Sequence, residues 1–402
     1  MKTISGSKII FTILFAFVFI PCCITSSFAY TLPVLYRVSR YWRYCSCFFL
    51  LVLSLKYWSN ARKIVLLGFV ILYFVVLYFS TVVNHIALSA LNNYSSKALL
   101  LFLFFFIAGN HYTEEMVNGA WWVCFVLSTI NILSIVLYPE GLYFRDDLFE
   151  NGQKMGYWFL GNRNLFVDFL YPMLVLSLLL HYINGQGLVK FALSIILSIT
   201  TVALTGSATT ILVILIVLMY YLFCRKGLLK KFANPVLLST GYAVVSVSVV
   251  LLGNSSFFSY FIVNVLKKDL TLSGRVSIWT NVYNHIIKNP IKGYGFRNGD
   301  DFIDNSIVMH AHNLFLHIAY SGGIIAFGVL VLLLLICIAK IKRIQSYTIL
   351  YLLLTFMFFA YLWMEFSEPR IYFPFLFGMI SIICNSSGYI RKRIDNLGNV
   401  AC

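Results

Sequence analysis

The sequence predicts an all-α membrane protein with about twelve transmembrane helices. Hydrophobic residues make up 60% of the 402 residues and charged residues 11%, against about 25% charged in soluble domains. The apolar residues fall in long runs that are almost free of charge. Backbone polar groups must be hydrogen-bonded in hydrocarbon, so runs of about 20 residues predict helices rather than barrel strands. This composition excludes a soluble enzyme, a disordered chain and a secreted disulfide scaffold.

Twelve apolar runs are predicted as spans within a single polytopic domain, residues 1–402. The first run is predicted to remain as a membrane helix, although Lys8 and the segment 27–29 also resemble a cleaved signal peptide. The second and fourth runs are the shortest, and an earlier start near Ala87 is the alternative for the fourth. The predicted spans are 9–29, 44–58, 64–83, 98–109, 117–138, 165–183, 188–204, 210–224, 235–253, 313–338, 347–363 and 371–384.

The distribution of cations predicts which loops face the cytoplasm. The chain has 30 Lys and Arg against 14 Asp and Glu, a net charge of +16. If the N-terminus is cytoplasmic, sixteen cations and only three acids fall in inner segments, as the positive-inside rule requires. The C-terminus is then cytoplasmic too. Arg37, Arg40 and Arg43 disagree, because this assignment places them outside.

The longest polar segment, residues 254–312, is predicted to be an extracytoplasmic loop between spans nine and ten. Apolar residues recur at helical spacing from Val276 to Ile287, and Asn289-Pro290 ends the run. This pattern predicts an amphipathic helix on the membrane surface or across the mouth of the bundle. Arg275 falls in its first turn, where free backbone N–H groups and a guanidinium favour an anion. Contact with a lipid headgroup or a carboxylate is the alternative.

A glycine-rich segment follows that helix. Lys292-Gly293-Tyr294-Gly295 predicts a tight backbone turn near a ligand. The segment lacks the strand and helix that a dinucleotide-binding fingerprint needs. Arg297 adds a further cation. Three aspartates come next, but their spacing does not complete a calcium loop; they are Asp300, Asp301 and Asp304.

Three histidines, His310, His312 and His317, crowd the start of the tenth span. A histidine at a membrane interface beside cations suits a general base acting on a hydroxyl. His312 is therefore the candidate base, with a structural role as the alternative. No carboxylate or cysteine lies at helical ligand spacing with these histidines, and the 9 cysteines show no zinc spacing. No metal site is predicted.

These residues follow one order along the chain: Ser273-Gly274-Arg275, Trp279, Pro290, Gly293-x-Gly295, His312-Asn313 and Gly323. In order, spacing and topology the set resembles the C-terminal signature of the O-antigen ligase and polymerase superfamily. The resemblance is close over residues 271–328, and the twelve-span layout extends it to the whole chain.

The resemblance implies a metal-independent, inverting glycosyltransferase at the outer face of the bacterial cytoplasmic membrane, without a cofactor. The implied donor is a glycan on undecaprenyl diphosphate. The acceptor is the next lipid-linked repeat unit in polymerases and lipid A-core in ligases. Membrane lipids and a chain-length regulator are further implied partners, and nucleic acid is not. By position, His312 is the implied base and Arg275 an arginine on the diphosphate.

The chain departs from the family pattern at two positions. Relatives often carry an arginine after Thr-Gly-Ser at an outer turn, but here Ala208 follows. Arg163, at the outer start of the sixth span, is predicted to supply that charge, with an interfacial anchor as the alternative. Ala326 replaces a second expected glycine. The predicted substrate-binding set is Arg163, Lys292, Arg297, Tyr294 and Asn313. Asp300, Asp301 and Glu365 are the reserve candidates for the base.

Three functions remain open. A polymerase of lipid-linked repeat units is the prediction, and an O-antigen ligase is the alternative because the two share donor chemistry. A flippase or transporter of lipid-linked glycan is the second alternative. A transporter should carry charged groups at mid-membrane depth or paired broken helices. The polar residues of this sequence concentrate at one outer face, which favours surface chemistry.

Overall fold

A computed structural model describes residues 6–56, 61–109, 112–150, 153–185, 187–224, 233–252, 275–297, 302–303, 306–307, 311, 313–346 and 348–367. The twelfth predicted span, residues 371–384, lies outside this part of the chain. So do His310, His312, Asp300, Asp301 and Asp304.

Helix dominates the described chain. The helices are α1 (Gly6–Cys23), α2 (Phe28–Thr31), α3 (Pro33–Leu55), α4 (Ala61–Val83), α5 (Ser89–Ala108), α6 (Thr113–Leu137), α7 (Val167–Asn184), α8 (Gly187–Thr205), α9 (Ala208–Met219), α10 (Pro235–Leu252), α11 (Arg275–Lys288), α12 (Leu314–Arg343) and α13 (Thr348–Ser367). A 3₁₀ turn, Arg163–Leu165, precedes α7, and a π turn, Tyr220–Cys224, follows α9. Two short antiparallel hairpins complete the chain: β1 (Tyr143–Glu150) with β2 (Gln153–Tyr157), and β3 (Phe302–Ile303) with β4 (Ser306–Ile307).

Several of these helices are long and apolar enough to cross a membrane. Among the described residues, 6 segments meet that standard: Gly6–Cys23, Ser89–Ala108, Thr113–Leu137, Arg163–Asn184, Gly187–Thr205 and Leu314–Arg343. Shorter apolar helices lie at Leu67–Val83, Ala208–Leu222, Pro235–Ser248 and Leu350–Met364. The chain is therefore a multi-pass helical membrane protein. The count of twelve spans stays a prediction.

The second predicted span is drawn too short. Helix α3 begins at Pro33 rather than near residue 44, so Arg37, Arg40 and Arg43 lie in a helix and not in a loop. Proline suits a first helical turn, because the N–H it lacks would have no partner there. The three arginines interrupt the apolar run in the sequence without interrupting the helix.

Arg43 is buried inside the bundle, against α5. Its Nη1 donates to Asn93 Oδ1 at 2.6 Å, to the Asn93 carbonyl at 3.1 Å and to Ser96 Oγ at 3.3 Å. Nearby, Lys97 Nζ donates to the Ile24 carbonyl at 2.6 Å. These neutral acceptors lower the cost of placing a cation among apolar side chains. Helix α5 accordingly starts at Ser89, well before the predicted start of the fourth span at residue 98.

Helix α7 lies at the centre of the bundle, and nearly every side chain along it is buried. A helix that is apolar all round belongs in such a position. Tyr171 Oη donates to the Met357 carbonyl of α13 at 2.9 Å. The Tyr182 and Tyr220 hydroxyls lie 2.7 Å apart. These two contacts pair buried hydroxyl groups of α7 with other segments of the core.

One end of the bundle carries an ion pair. Lys8 Nζ lies 3.0 Å from Glu114 Oε2, and Asn184 Nδ2 donates to Glu114 Oε1 at 3.1 Å. These contacts bring together the start of α1, the start of α6 and the end of α7. The predicted topology places all three at the cytoplasmic face.

Helix α12 is broken near its first third. Gly323 has φ 66° and ψ −169°, which no α-helix contains. The break divides α12 into a first half, from Leu314 to Gly322, and a longer second half. The first half and the segments packed on it form the candidate site.

Candidate functional site

Helix α11 occupies Arg275–Lys288, the stretch where apolar spacing predicts an amphipathic helix. Trp279 and Val282 are each 1% exposed and face the protein, whereas Ile287 is 58% exposed. The helix packs against α12 and also reaches α10. It therefore lies across the end of the bundle.

Trp279 connects α11 to the segment before His312. The indole Nε1 donates to the Ala311 carbonyl at 2.9 Å. Val282, Ala311 and Tyr320 form a small buried cluster, with Ile278, Ile286, Tyr294 and Leu316 packed against it. Helix α11, residue 311 and the first half of α12 are therefore one packed unit.

The Gly293-x-Gly295 turn fills the break in α12. Tyr294 N donates to the Tyr320 carbonyl and Gly295 N to the Ser321 carbonyl, each at 2.9 Å. In the other direction, Ile324 N donates to the Pro290 carbonyl at 2.8 Å. In an unbroken helix Ile324 N would bond to Tyr320 O instead. The turn thus takes over a hydrogen bond that the break releases.

The glycines allow this contact between two backbones. Gly293 has φ +62°, and a Cβ there would lie 2.6 Å from Tyr320 O and from Gly323 N. A Cβ on Gly323 would lie 2.0 Å from the Ile291 carbonyl oxygen. Both values are shorter than real Cβ contacts. The glycines of the turn therefore face α12.

The last turn of α4 contacts the same segment, and the sequence analysis missed it. Thr81 Oγ1 accepts Phe296 N at 3.0 Å, and Asn84 Nδ2 donates to the Gly293 carbonyl at 3.2 Å. Ser80 Oγ lies 2.6 Å from Ser321 O and 2.5 Å from Lys292 O, so its hydroxyl proton serves these two carbonyls. In the sequence, the signal for this contact is three polar residues at the end of a long apolar run: Ser80, Thr81 and Asn84.

Aromatic rings surround the turn. Tyr294 stacks on Tyr320 with ring centroids 5.0 Å apart and planes 12° apart. Phe296 stacks on Tyr94 of α5 at 4.9 Å and meets the edge of His317 at 5.4 Å. Tyr294, the residue proposed from sequence for sugar stacking, therefore has one ring face against Tyr320.

The two strongest sequence candidates are only partly described. His312 lies outside the described residues, but its neighbours Ala311 and Asn313 are each 2% exposed. Asn313 caps α12, because its Oδ1 accepts Leu316 N at 3.2 Å. Arg275 is the first residue of α11, and its side chain is not described. The backbone therefore brings both candidates to one packed unit.

The other predicted cations lie in two different turns of the chain. Lys292 is exposed and Arg297 is half-buried in the glycine-rich turn, and Arg297 Nε lies 3.5 Å from the Tyr294 carbonyl.

Arg163 belongs to the 3₁₀ turn that Asn162 caps. That turn contacts α9, which follows Thr205-Gly206-Ser207. Arg163 is therefore next to the turn whose expected arginine is missing. Glu365 lies in α13, and its side chain is not described.

An apolar groove opens beside the unit. It encloses about 710 Å³ between α10, α12 and α13. Tyr283, Pro290 and Asn313 line its outer end, and Val236 and Ile338 line the other. Its lining includes residues on both sides of the break in α12, from Asn313 to Ile338.

The spans, the packed unit and the groove define a class: a multi-pass membrane protein with an apolar groove beside a packed unit of helices. Residues 193–331 match the family model described as O-antigen ligase. The match begins in α8, ends in α12 and contains α11, the outer loop and His312-Asn313. Over this segment the chain is similar to the O-antigen ligase family, in agreement with the resemblance to the O-antigen ligase and polymerase superfamily that the sequence motifs indicated.

The match to residues 193–331 is consistent with a glycosyl-transferring membrane enzyme that acts on lipid-linked glycans. The family description fits a ligase and a polymerase equally. Among curated proteins, none matches the chain. Helices α1 to α7 precede the matched segment, so the contacts of α4 with the site come from outside it.

Proposed function

We propose that the protein is a polymerase of undecaprenyl-diphosphate-linked oligosaccharide repeat units, working at the outer face of the bacterial cytoplasmic membrane with both termini in the cytoplasm. The apolar groove carries this proposal. It is lined by residues from both halves of α12, including Asn313, the residue after His312 in the chain. A lipid chain in the groove would place its diphosphate-linked sugar beside the packed outer unit.

The proposed reaction is a single displacement at the anomeric carbon of the donor, in the loop of residues 254–312. His312 accepts the proton of the acceptor hydroxyl as the hydroxyl oxygen attacks that carbon. The bond between the carbon and the diphosphate oxygen breaks, the configuration inverts, and the diphosphate leaves with the bonding electrons. No metal or cofactor takes part in this proposal.

Cations stabilise the negative charge that grows on the leaving diphosphate. Arg275 suits this role best, because the free N–H groups of the first turn of α11 add to its guanidinium. Lys292 and Arg297 follow on the docked turn, and Arg163 approaches from the start of α7. Asn313 and Tyr294 are the proposed neutral contacts with the glycan.

Contacts within the unit support His312 as the base. Trp279 holds the carbonyl before it, and the Asn313 cap fixes the residue after it. A base must be held within hydrogen-bond reach of its proton, so fixed backbone on both sides lowers the cost of orientation.

An O-antigen ligase is the second candidate, because the matched family model bears that description. It would use the same donor site and pass the glycan to lipid A-core. A transporter has less support. The break in α12, which a transporter could use to bind its cargo, is filled by the backbone of residues 290–295.

Deletion of the gene in its source organism, followed by sizing of the surface glycan, tests the proposal. A polymerase mutant should retain single repeat units on the lipid anchor. Full-length chains left on the carrier lipid would instead establish the ligase. Unchanged glycan would contradict both.

A further inference from the structure

We propose that the end of α4 is part of the functional site, with Thr81 and Asn84 as positioning residues for the cationic turn 292–297. This inference rests on the proposed function, in which Lys292 and Arg297 face the diphosphate. Helix α4 lies more than a hundred residues before the matched segment 193–331, and the family match assigns it no role.

The contacts are directional. The Thr81 hydroxyl donates its single proton to the Leu77 carbonyl at 2.7 Å. Its oxygen is then oriented to accept Phe296 N, at 3.0 Å. Asn84 Nδ2 donates to the Gly293 carbonyl at 3.2 Å, where Asn289 Nδ2 also donates at 2.7 Å. Two points of the turn, three residues apart, are therefore tied to one helix end.

The backbone at the end of α4 is shaped for this contact. His85 N donates to the Val82 carbonyl and Ile86 N to the Thr81 carbonyl, each at 3.0 Å. Together these bonds form a Schellman motif, in which the left-handed position usually belongs to glycine. Here His85 occupies it, with φ 55°. A non-glycine residue in this region is strained and persists where the surrounding structure enforces it.

The Schellman motif at the end of α4 places Ile86 next to Gly295 of the glycine-rich turn. A Cβ on Gly295 would lie 2.9 Å from Ile86 Cγ1 and 3.2 Å from Thr81 Cα. Gly295 has φ +81°, so a side chain is disfavoured there by backbone conformation as well as by space. The turn and the end of α4 are thus complementary in shape as well as in hydrogen bonding.

The consequence is positional control of two cations. Lys292 and Arg297 flank the anchored residues, so the anchoring fixes the position of their Cα atoms. The Lys292 side chain is exposed and the Arg297 side chain is half-buried. Misplacing a binding group by about 1 Å can cost up to 100-fold in rate. Phe296 keeps its ring contact with Tyr94, so loss of one hydrogen bond should loosen the turn without unfolding it.

The test compares Thr81→Val, which keeps the shape and removes the hydroxyl, with Thr81→Ser, which restores it. Thr129→Val is the matched control, because Thr129 Oγ1 donates to Phe125 O at 2.8 Å within α6, as Thr81 does to Leu77 within α4. The purified protein in nanodiscs is examined for amide hydrogen exchange across residues 290–297 and for kcat/KM with its lipid-linked donor.

Thr81→Val should accelerate exchange at the Phe296 amide and lower kcat/KM about tenfold, the size expected for one hydrogen bond. Thr81→Ser and Thr129→Val should match the wild type in both measurements. Asn84→Asp, at the partly exposed helix end, should loosen Gly293 in the same way. It serves as the second variant if Thr81→Val fails to fold.

Unchanged exchange in both Thr81→Val and Asn84→Asp would overturn the inference. So would an equal loss of kcat/KM in Thr81→Val and Thr129→Val. Hydrogen exchange does not depend on catalysis. If the wild type transferred no glycan, the proposed function would fail while the anchoring by α4 was still measured.

Discussion

At the scale of single residues, the site depends on what lies on either side of His312. The carbonyl before it is bound by the Trp279 indole, and Asn313 after it is committed to capping α12. An asparagine cap is worth about 1 kcal/mol, so the backbone has little freedom here. A side chain between two fixed residues is well placed to act as a base.

Replacing His312 with Ala should abolish glycan transfer and leave membrane insertion intact, because the acceptor hydroxyl loses its proton acceptor. Transfer is measured with purified protein and lipid-linked donor, and insertion by membrane fractionation. His181→Ala is the control, since His181 lies in the last turn of α7, at the predicted opposite face. Full activity of His312→Ala would exclude it as the base.

Arg275→Lys should lower kcat/KM about tenfold or more, although the charge is kept. A guanidinium binds a phosphate with two parallel N–H groups, and an ammonium cannot. Lys288→Arg at the exposed far end of the same helix is the control and should leave kinetics unchanged. Normal turnover in Arg275→Lys would mean that no two-pronged contact with the diphosphate exists.

At the scale of elements, the site is built where a helix is interrupted. Helix α12 breaks at Gly323, and the turn after α11 supplies hydrogen bonds on both sides of the break. Buried backbone groups need partners, so the break and the turn require one another. These hydrogen bonds thereby join the turn after α11 to α12.

Gly323→Ala should disrupt this junction. The new Cβ would lie 2.0 Å from Ile291 O, in backbone that L side chains rarely adopt. We expect a loss of about 1–3 kcal/mol in stability, with transfer reduced more than tenfold. Gly328→Ala, five residues further along α12, meets nothing within 4 Å and should be tolerated. Thermal unfolding and transfer assays of the two variants decide the matter; equal behaviour would contradict the role given to the break.

At the scale of the whole molecule, the apolar groove extends along three helices to the packed unit of α11, residue 311 and the first half of α12. Helices α10, α12 and α13 form its walls, and α11 closes its outer end through Tyr283 and Ile286. The lining is almost entirely apolar, which suits a hydrocarbon chain. A donor held there would enter from the bilayer and present its diphosphate at the surface.

Ala319→Phe should obstruct the groove near its outer end and raise KM for the lipid-linked donor several-fold. Ala319 lines the groove, and a phenyl group would occupy part of it. Ile196→Phe on α8 is the control, because Ile196 is 59% exposed and lies outside the groove. Binding of a polyprenyl diphosphate by native mass spectrometry gives a second measurement. Unaltered binding and KM in Ala319→Phe would place the lipid elsewhere.

Much of the architecture was predictable, because hydrophobic transfer adds up residue by residue. Each of the first eleven apolar runs overlaps a described helix. The errors fall at α3 and α5, where Arg43 and Lys97 made the runs appear to start late. Their acceptors come from other parts of the chain: Asn93 and Ser96 from α5 for Arg43, and Ile24 from the segment after α1 for Lys97. Counting apolar residues along the chain does not reveal which acceptors pair with these cations.

The sequence by itself determined the membrane class, the order of the spans and the position of the outer loop, since each follows from local apolar content and charge. The helical spacing also placed Arg275 in the first turn of α11. The family pattern predicted a glycine ten positions after Asn313, and Gly323 stands there. Only the tertiary structure decided that Gly323 breaks α12, that the glycine turn fills the break, and that α4 holds the turn. Those outcomes depend on which backbone groups meet in space, and hydrogen-bond partners hundreds of residues apart leave no periodic trace in the sequence.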